Sequence, residues 1–178
     1  MRALYVGQLR EYKGAHIAVQ AAANMHDVQL TIIGKGPCEP ALRRQLRESG
    51  STNINFRGYV ADDELADAYA AHDVVLLPSV NRLEAFGITL LEGMASGCVP
   101  LASDLPGVRD LVAECGILTA PNDANDLRWS LGLLAERPEL VARLSERALA
   151  QSSLYSCASM IDSYEQTFTD IIEDRPRK

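Results

Sequence analysis

The first two-thirds of the chain alternates short apolar runs with segments in which apolar residues recur at helical spacing. The apolar runs predict six strands, at residues 3–6, 29–33, 54–57, 74–77, 99–102 and 116–118. Four of these strands are almost unbroken runs of apolar residues, which is typical of parallel strands covered on both faces. The pattern therefore predicts a sheet that is buried between two layers of helices.

The segments between and after these strands predict helices. Five follow a strand, at residues 15–25, 40–48, 63–72, 87–96 and 108–113, and three fill the last third, at 125–136, 138–150 and 157–173. The tail from Arg175 to Lys178 is expected to fray. Because strand–helix alternation produces right-handed βαβ crossovers, the predicted fold class is α/β: a doubly wound parallel sheet of about six strands with a helical C-terminal extension.

Composition narrows the class of protein. The 178 residues are 47% hydrophobic and 23% charged, which suits one domain, residues 1–178, with a single core. A net charge of −7 disfavours sequence-independent binding to nucleic acid. No apolar run approaches the roughly 18 residues that span a bilayer, and the N-terminus is too short and too polar for a signal peptide. We therefore expect a cytoplasmic protein.

The four cysteines, Cys38, Cys98, Cys115 and Cys157, are widely separated and form no C-x-x-C pair. This spacing argues against a zinc site and against a disulfide framework, and it favours reduced thiols. Cys98 and Cys115 lie in apolar stretches, so we expect them to be packing residues.

Candidate chemistry lies in the loops that follow the strands, because ligands of open α/β sheets bind beyond the carboxyl ends of the strands. The loop from Gly7 to Gly14 contains Arg10 and Lys13, two cations able to neutralise a phosphate. A polar turn with a solvated lysine explains this loop more readily when it is taken alone. The loop at 34–37 lacks both common glycine-rich phosphate motifs, and a plain tight turn explains it.

The loop after the fourth strand is the most informative. Glu84 precedes a predicted helix and Glu92 lies inside it, while the amides around Phe86, Gly87 and Ile88 offer a helix N-terminus to an anion. At about 1.5 Å per residue the carboxylates are roughly 12 Å apart, which suits a central diphosphate flanked by hydroxyl-rich groups. The apolar neighbours of Glu92 in sequence predict that it is buried. An acid near a helix start and a solvated helix residue explain the same pair equally well.

The segment from Glu84 to Glu92 resembles the E-x7-E motif of glycosyltransferase family 4, whose members have the GT-B fold. Gly7-Gln8-Leu9 with Lys13-Gly14 looks like that family's G-R-L…K-G diphosphate loop. Segments 33–37, 56–60, 72–79 and 103–107 also fall in the family's order and approximate spacing. The resemblance covers about residues 2–172, and it implies a Rossmann-like sheet that forms the C-terminal, donor-binding half of a GT-B fold.

What the resemblance implies is a retaining transferase that uses a nucleoside-diphosphate sugar, with no cofactor and no obligatory metal, in the synthesis of cell-surface glycans or glycolipids. Glu84 is the implied catalytic residue. The implied contacts to the sugar and its phosphates are Lys13, Gly7, Arg10, Arg82, Phe86, Gly87 and Ile88. The implied contacts to the ribose and base are Glu92, Gly34, Gly58, Tyr59 and Val60.

Two departures from the family pattern affect this interpretation. Gln8 stands where the family usually has an arginine, so the diphosphate loses a bidentate cation, and Arg10 is the candidate to replace it. The chain also begins at the first strand of the donor half. We therefore expect an N-terminal acceptor-binding domain as the partner of this chain, which is either a domain excised from a longer protein or one of two separate chains. Any contact with the inner membrane is expected through that partner domain. An exposed cleft wall would favour dimers of the isolated domain.

Two other functions stay open at this stage. One is a GT-B relative with different chemistry, such as a nucleotide-sugar epimerase or a sucrose-type synthase. The other is a nucleotide-sugar-binding module without catalysis. A phosphorylase would need a lysine for pyridoxal phosphate, and no segment argues for one. A dehydrogenase is disfavoured because no G-x-G-x-x-G follows the first strand.

Overall fold

The six apolar runs form one parallel sheet in the structure, a computed structural model that describes residues 1–173. The strands are β1 (Arg2–Val6), β2 (Gln29–Ile33), β3 (Ile54–Gly58), β4 (Val74–Leu77), β5 (Val99–Ser103) and β6 (Ile117–Thr119). They lie in the order β3-β2-β1-β4-β5-β6. The predicted α/β fold class is confirmed. The tail from Arg175 to Lys178 lies outside the described residues.

The helices follow the predicted order. They are α1 (Ala15–Ala22), α2 (Glu39–Ser49), α3 (Asp62–Ala70), α4 (Ile88–Ala95), α5 (Val108–Val112), α6 (Ala124–Ala135), α7 (Pro138–Ser153) and α8 (Cys157–Glu173). Helix α1 ends three residues earlier than predicted, because Asn24 takes a left-handed φ of 58° and its N–H donates to Ser51 Oγ at 2.6 Å. This contact between distant segments overrides the local helical pattern.

Helices cover both faces of the sheet. Ala3 and Tyr5 of β1 pack with α1, α2 and α6, whereas Leu4 and Val6 pack with α3, α4 and α5. None of these four residues is more than 8% exposed. The order of the strands reverses between β1 and β4, so the chain leaves these two neighbouring strands in different directions. A crevice opens at such a switch point, beyond the carboxyl ends of the strands.

The last helix has little cover within the described chain. Its side chains through Ile172 are exposed, apart from a partly buried Ser159. Met160, Tyr164 and Phe168 form a row at helical spacing and are 52%, 59% and 60% exposed. These three side chains give α8 an apolar surface. No helix within residues 1–173 combines the length and apolar content needed to cross a membrane.

Two of the four cysteines, Cys98 and Cys115, are packing residues, as the sequence predicts. All four are free, and Cys98 and Cys115 are buried in the core. Burial raises the pKa of the Cys98 thiol to about 12 and that of the Cys115 thiol to about 11. Both thiols are therefore protonated packing groups at neutral pH.

Gly14 joins the loop after β1 to the loop after β4. Its φ is +71°, and a Cβ added to it would lie 1.8 Å from the carbonyl oxygen of Pro78. A side chain here meets both an unfavourable backbone conformation and a backbone atom that has little freedom to move. Glycine is therefore required where these two loops touch.

Gly14→Ala should lower the free energy of unfolding by about 2 kcal/mol or more, because it adds a clash to the cost of a left-handed alanine. Gly50→Ala is a matched control, since Gly50 has a φ of +65° and nothing within 4 Å of its added Cβ. It should lose only about 1 kcal/mol. Urea unfolding of both variants measures the difference, and equal losses would show that the contact with Pro78 is unimportant.

Candidate functional site

Backbone hydrogen bonds tie together the loops at the carboxyl edge of the sheet. They run from Gly7 N to Ile33 O at 3.0 Å, from Gly34 N to Gly58 O at 2.7 Å, and from Val80 N to Tyr12 O at 2.8 Å. The three loops that the sequence singled out therefore form one surface at the switch point. Their fixed backbones give side chains on this surface defined positions.

At the centre of this surface, Lys13 and Glu84 form an ion pair. Lys13 Nζ donates to Glu84 Oε2 at 2.6 Å, and Ser79 Oγ donates to the same oxygen at 3.2 Å. Glu84 is 7% exposed and Ser79 is fully buried. A buried carboxylate needs such partners. Two residues with separate predicted roles are thus in direct contact, which the sequence analysis did not foresee.

Tyr5 contacts the backbone of the loop that carries Lys13. Its hydroxyl lies 3.4 Å from the carbonyl oxygens of Gln8 and Lys13, both in the loop after β1. Burial raises the pKa of the Tyr5 phenol well above its usual range, and the negative charge of Glu84 raises it further. The phenol stays a neutral donor. Tyr5 carried no functional signal in the sequence, because it reads as one more core residue of an apolar strand.

Helix α4 begins at Ile88, one residue after its predicted start. Gly87 has a φ of 88° and caps the helix, and its carbonyl accepts from the N–H groups of Leu90 and Leu91. Within residues 1–173, the N–H groups of Ile88 and Thr89 have no hydrogen-bond partner. These free amides and the positive end of the helix dipole favour an anion at this position.

A groove runs from this surface along α3. One cavity of about 310 Å³ is lined by Gly7, Gly34, Tyr59 and Val60, among others, and a second of about 480 Å³ is lined by Tyr69 and Glu92. Asp62 and Leu65 of α3 line both cavities, so the two cavities are adjacent, and together they are called the groove. The structure therefore brings most residues predicted for ribose and base to one groove, with Gly58 at its edge through its bond to Gly34.

The prediction that Glu92 is buried is wrong. Its side chain is exposed, and the hydroxyl of Tyr69 donates to Glu92 Oε2 at 2.8 Å. The next residue, Gly93, faces the sheet instead, where an added Cβ would lie 2.7 Å from Val75 Cγ1. Successive residues of a helix point in directions about 100° apart, so apolar neighbours in sequence do not bury a side chain.

The two predicted arginines, Arg10 and Arg82, make fewer contacts with this surface than Lys13 and Glu84 do. Arg10 Nε donates to Gln8 Oε1 at 2.9 Å, with both side chains exposed. Arg10 lines a different cavity, of about 490 Å³, which also includes Tyr12 and Asn81. Arg82 is exposed and makes no hydrogen bond or salt bridge to any residue in 1–173. The structure therefore does not join Arg82 to the central ion pair.

Two predicted contacts are apolar side chains at the start of α4. Phe86 is 36% exposed and meets Tyr155 edge to face, with ring centroids 5.6 Å apart. Ile88 is 65% exposed. Any contact that this segment makes to a phosphate therefore comes from its backbone.

No group of three or more histidine, cysteine, aspartate or glutamate side chains in residues 1–173 is placed to hold a metal ion. The absence of an obligatory metal stays a prediction. The groups available to neutralise a phosphate at the centre of the surface are an ammonium group and backbone amides.

The comparisons with known proteins agree with this architecture. Residues 2–151 match the family model described as glycosyl transferases group 1, and the chain belongs to that family. The Rossmann-like sheet is that of a GT-B glycosyltransferase.

Two curated relatives are each 34% identical to the chain. One is the O-antigen chain mannosyltransferase C of Escherichia coli, with 97% of this chain and 47% of the relative covered. The other is a phosphatidyl-myo-inositol mannosyltransferase of Mycolicibacterium smegmatis, with 81% and 39% covered. The chain thus spans about half the length of the curated relatives it matches.

Solved structures show the same fold. Anabaena HepE in complex with UDP and glucose superposes with a TM-score of 0.85 at 23% identity, over 95% of this chain and 48% of that one. The C-terminal domain of a group 1 family protein from Francisella tularensis superposes with a TM-score of 0.78 at 23% identity, over 88% of this chain and 87% of that one.

A double-mutant cycle on Lys13→Met and Glu84→Gln tests the central ion pair. We expect the two changes to couple by about 1–3 kcal/mol in the free energy of unfolding, because each leaves a poorly solvated polar partner behind. The exposed pair Arg44 and Glu48, 3.9 Å apart, is the control and should couple by less than about 0.5 kcal/mol. Equal coupling in the two cycles would contradict the buried pair's importance.

Proposed function

We propose that this chain is the donor-binding half of a retaining glycosyltransferase, which transfers a sugar from a nucleoside-diphosphate sugar to an acceptor. The observation that carries the proposal is the juxtaposition at the switch point. The ammonium group of Lys13 contacts the Glu84 carboxylate beside the free amides of α4. A diphosphate is the ligand that a cation and a helix N-terminus favour together, and a sugar hydroxyl is a good donor to a fixed carboxylate.

In this proposal each part of the surface takes one part of the donor. Lys13 and the amides of Ile88 and Thr89 stabilise the negative charge that grows on the departing diphosphate. Glu84 contacts the transferred sugar, and its burial fixes its position before the donor arrives. The groove along α3 takes the nucleoside, with Glu92 toward the ribose and Tyr59 and Val60 toward the base.

In the proposed reaction, the Lys13 ammonium group pairs first with the Glu84 carboxylate and then with the diphosphate. The ammonium group neutralises the carboxylate while the site is empty. An incoming diphosphate competes for that ammonium group, since it carries more charge than one carboxylate. The released carboxylate is then free to accept from sugar hydroxyls. Donor binding would therefore prepare Glu84 for the transfer step.

The acceptor would be bound by an N-terminal domain that forms the other wall of the crevice. Two features support this part of the proposal. The chain spans about half of the relatives it matches, and α8 leaves a row of apolar side chains uncovered. The relatives named for O-antigen and phosphatidyl-myo-inositol mannosyl transfer support cell-surface glycan or glycolipid synthesis as the setting. Any membrane contact is assigned to that other half.

Isothermal titration calorimetry of this chain with UDP and with GDP tests donor binding. We expect one of the two to bind, and Lys13→Ala to weaken binding about 10-fold or more, because a charge-assisted contact to phosphate is lost. Arg143→Ala, an exposed cation on α7, is the matched control and should bind as the parent does. A folded chain that binds neither nucleotide would contradict the proposal.

Catalysis is tested in a protein that carries both halves. There, Glu84→Gln should lower kcat about 100-fold, while the affinity for the nucleoside diphosphate is retained or increases, because Lys13 no longer pairs with a carboxylate. Product formation from radiolabelled donor measures the first quantity, and calorimetry the second. Unchanged sugar transfer would leave a binding role for this surface but remove the catalytic role of Glu84.

A further inference from the structure

Tyr69 is a buried residue that lines the groove and carries one polar side-chain group, its hydroxyl. It lies on α3 and is 2% exposed. Its hydroxyl donates to Glu92 Oε2 at 2.8 Å, although Glu92 itself lies on the exposed face of α4. The contact joins two helices that are separated in sequence by β4 and the loop after it. The Tyr69 hydroxyl also restricts the rotation of the Glu92 carboxylate.

The position of Tyr69 is tightly defined. Its ring belongs to the hydrophobic cluster that also contains Leu90 and Met94 of α4. Its carbonyl oxygen accepts from Cys98 Sγ at 3.1 Å and from His72 N at 3.1 Å. Burial raises the pKa of the Tyr69 phenol well above its usual range, and the hydrogen bond to Glu92 raises it further. The phenol is therefore a permanent donor.

This donor leaves Glu92 with one oxygen held and one oxygen free. Within residues 1–173, Glu92 Oε2 accepts from Tyr69, and no side chain or backbone group donates to Oε1. An exposed glutamate on a helix normally samples several rotamers, and ordering it costs side-chain conformational entropy. A carboxylate that is already ordered binds a hydroxyl without that cost.

We propose that Tyr69 is a positioning residue for the nucleoside: it holds Glu92 so that Oε1 faces the groove and accepts from a ribose hydroxyl. The inference rests on the proposed function, since it requires that a nucleoside diphosphate occupies the groove. It adds a residue to the site that touches no ligand itself. Tyr69 acts only through the carboxylate of Glu92.

A purely structural role for the Tyr69 hydroxyl makes a different prediction. Buried phenols commonly find an acceptor simply to avoid an unpaired hydroxyl. In that case Tyr69→Phe would change the stability of the fold but not the way in which the protein distinguishes ribose from deoxyribose. The preference for ribose is therefore the quantity that separates the two roles.

The test measures the dissociation constants of this chain for GDP and 2′-deoxy-GDP, and for UDP and 2′-deoxy-UDP. The ratio of the deoxy to the ribo constant reports the contribution of the 2′-hydroxyl. We expect Tyr69→Phe to reduce this ratio about 3- to 10-fold, as loss of one ordering hydrogen bond predicts. Glu92→Ala should bring the ratio close to one, and adding Tyr69→Phe to Glu92→Ala should change it no further.

Two controls separate positioning from stability. Cys98→Ala loosens the packing around the Tyr69 backbone but keeps the hydroxyl, so it should lower the melting temperature and leave the ratio unchanged. Tyr164→Phe removes a hydroxyl from the exposed face of α8 and should change neither quantity. Glu92→Asp is a second variant that leaves Tyr69 in place. Its shorter side chain breaks the contact with Tyr69, and it should also reduce the ratio.

Failure of the proposed function and failure of the inference about Tyr69 give different results. If the parent chain binds neither GDP nor UDP, the proposed function fails, and this inference fails with it. If the parent binds and prefers ribose, but Tyr69→Phe keeps the parent's ratio, then the inference alone is overturned. If Tyr69→Phe does not fold, an unchanged ratio in Glu92→Asp overturns the inference in the same way.

Discussion

A buried carboxylate and the ammonium group that neutralises it hold together the loops that leave β1 and β4. Glu84 is 7% exposed, a position that an acid occupies only with a strong partner, and Lys13 supplies that partner across 71 residues of sequence. The pair forms because the strand order reverses between β1 and β4, which makes the two loops neighbours. Gly14 lets the loops touch, since its added Cβ would overlap the carbonyl oxygen of Pro78.

The same pair explains how an acidic chain can hold an anion. The net charge of −7 repels polyanions at a distance. Close to the switch point, however, Lys13 supplies an ammonium group and the start of α4 supplies the free amides of Ile88 and Thr89. Local groups dominate there, because salt screens the more distant charges over about 8–10 Å. The groove beyond them runs along α3, and its larger cavity lies between α3 and α4. Under the proposed function, one short stretch of surface would therefore serve both a diphosphate and a nucleoside.

Much of this fold was predictable from the sequence, for reasons that particular elements make clear. Strands such as β2 and β4 match their predicted bounds because a strand covered on both faces is an apolar run with polar ends. Helix ends were less predictable. Helix α1 stops where Asn24 meets Ser51, and such a contact has no signature in the local pattern.

The candidate site was predictable as a set of loops but not as a set of contacts. Position beyond the strand ends identified Lys13 and Glu84 separately, yet neither residue's neighbours in sequence reveal that they touch. Tyr69 was missed because a tyrosine at the apolar position of a helix reads as a core residue. Glu92 is exposed although its neighbours in sequence are apolar, because those neighbours point to another side of the helix. Each miss concerns a contact between segments that only the tertiary fold brings together.

Amide chemical-shift mapping by NMR tests the central claim most directly. The ¹⁵N-labelled chain is titrated with UDP and with GDP, and the shifts of its backbone amides are followed. The largest changes are expected on the loop from Gly7 to Gly14, on Ile88 and Thr89 at the start of α4, and on Tyr59 and Val60. Binding whose shifts spare these amides and fall instead on α6 and α7 would contradict it.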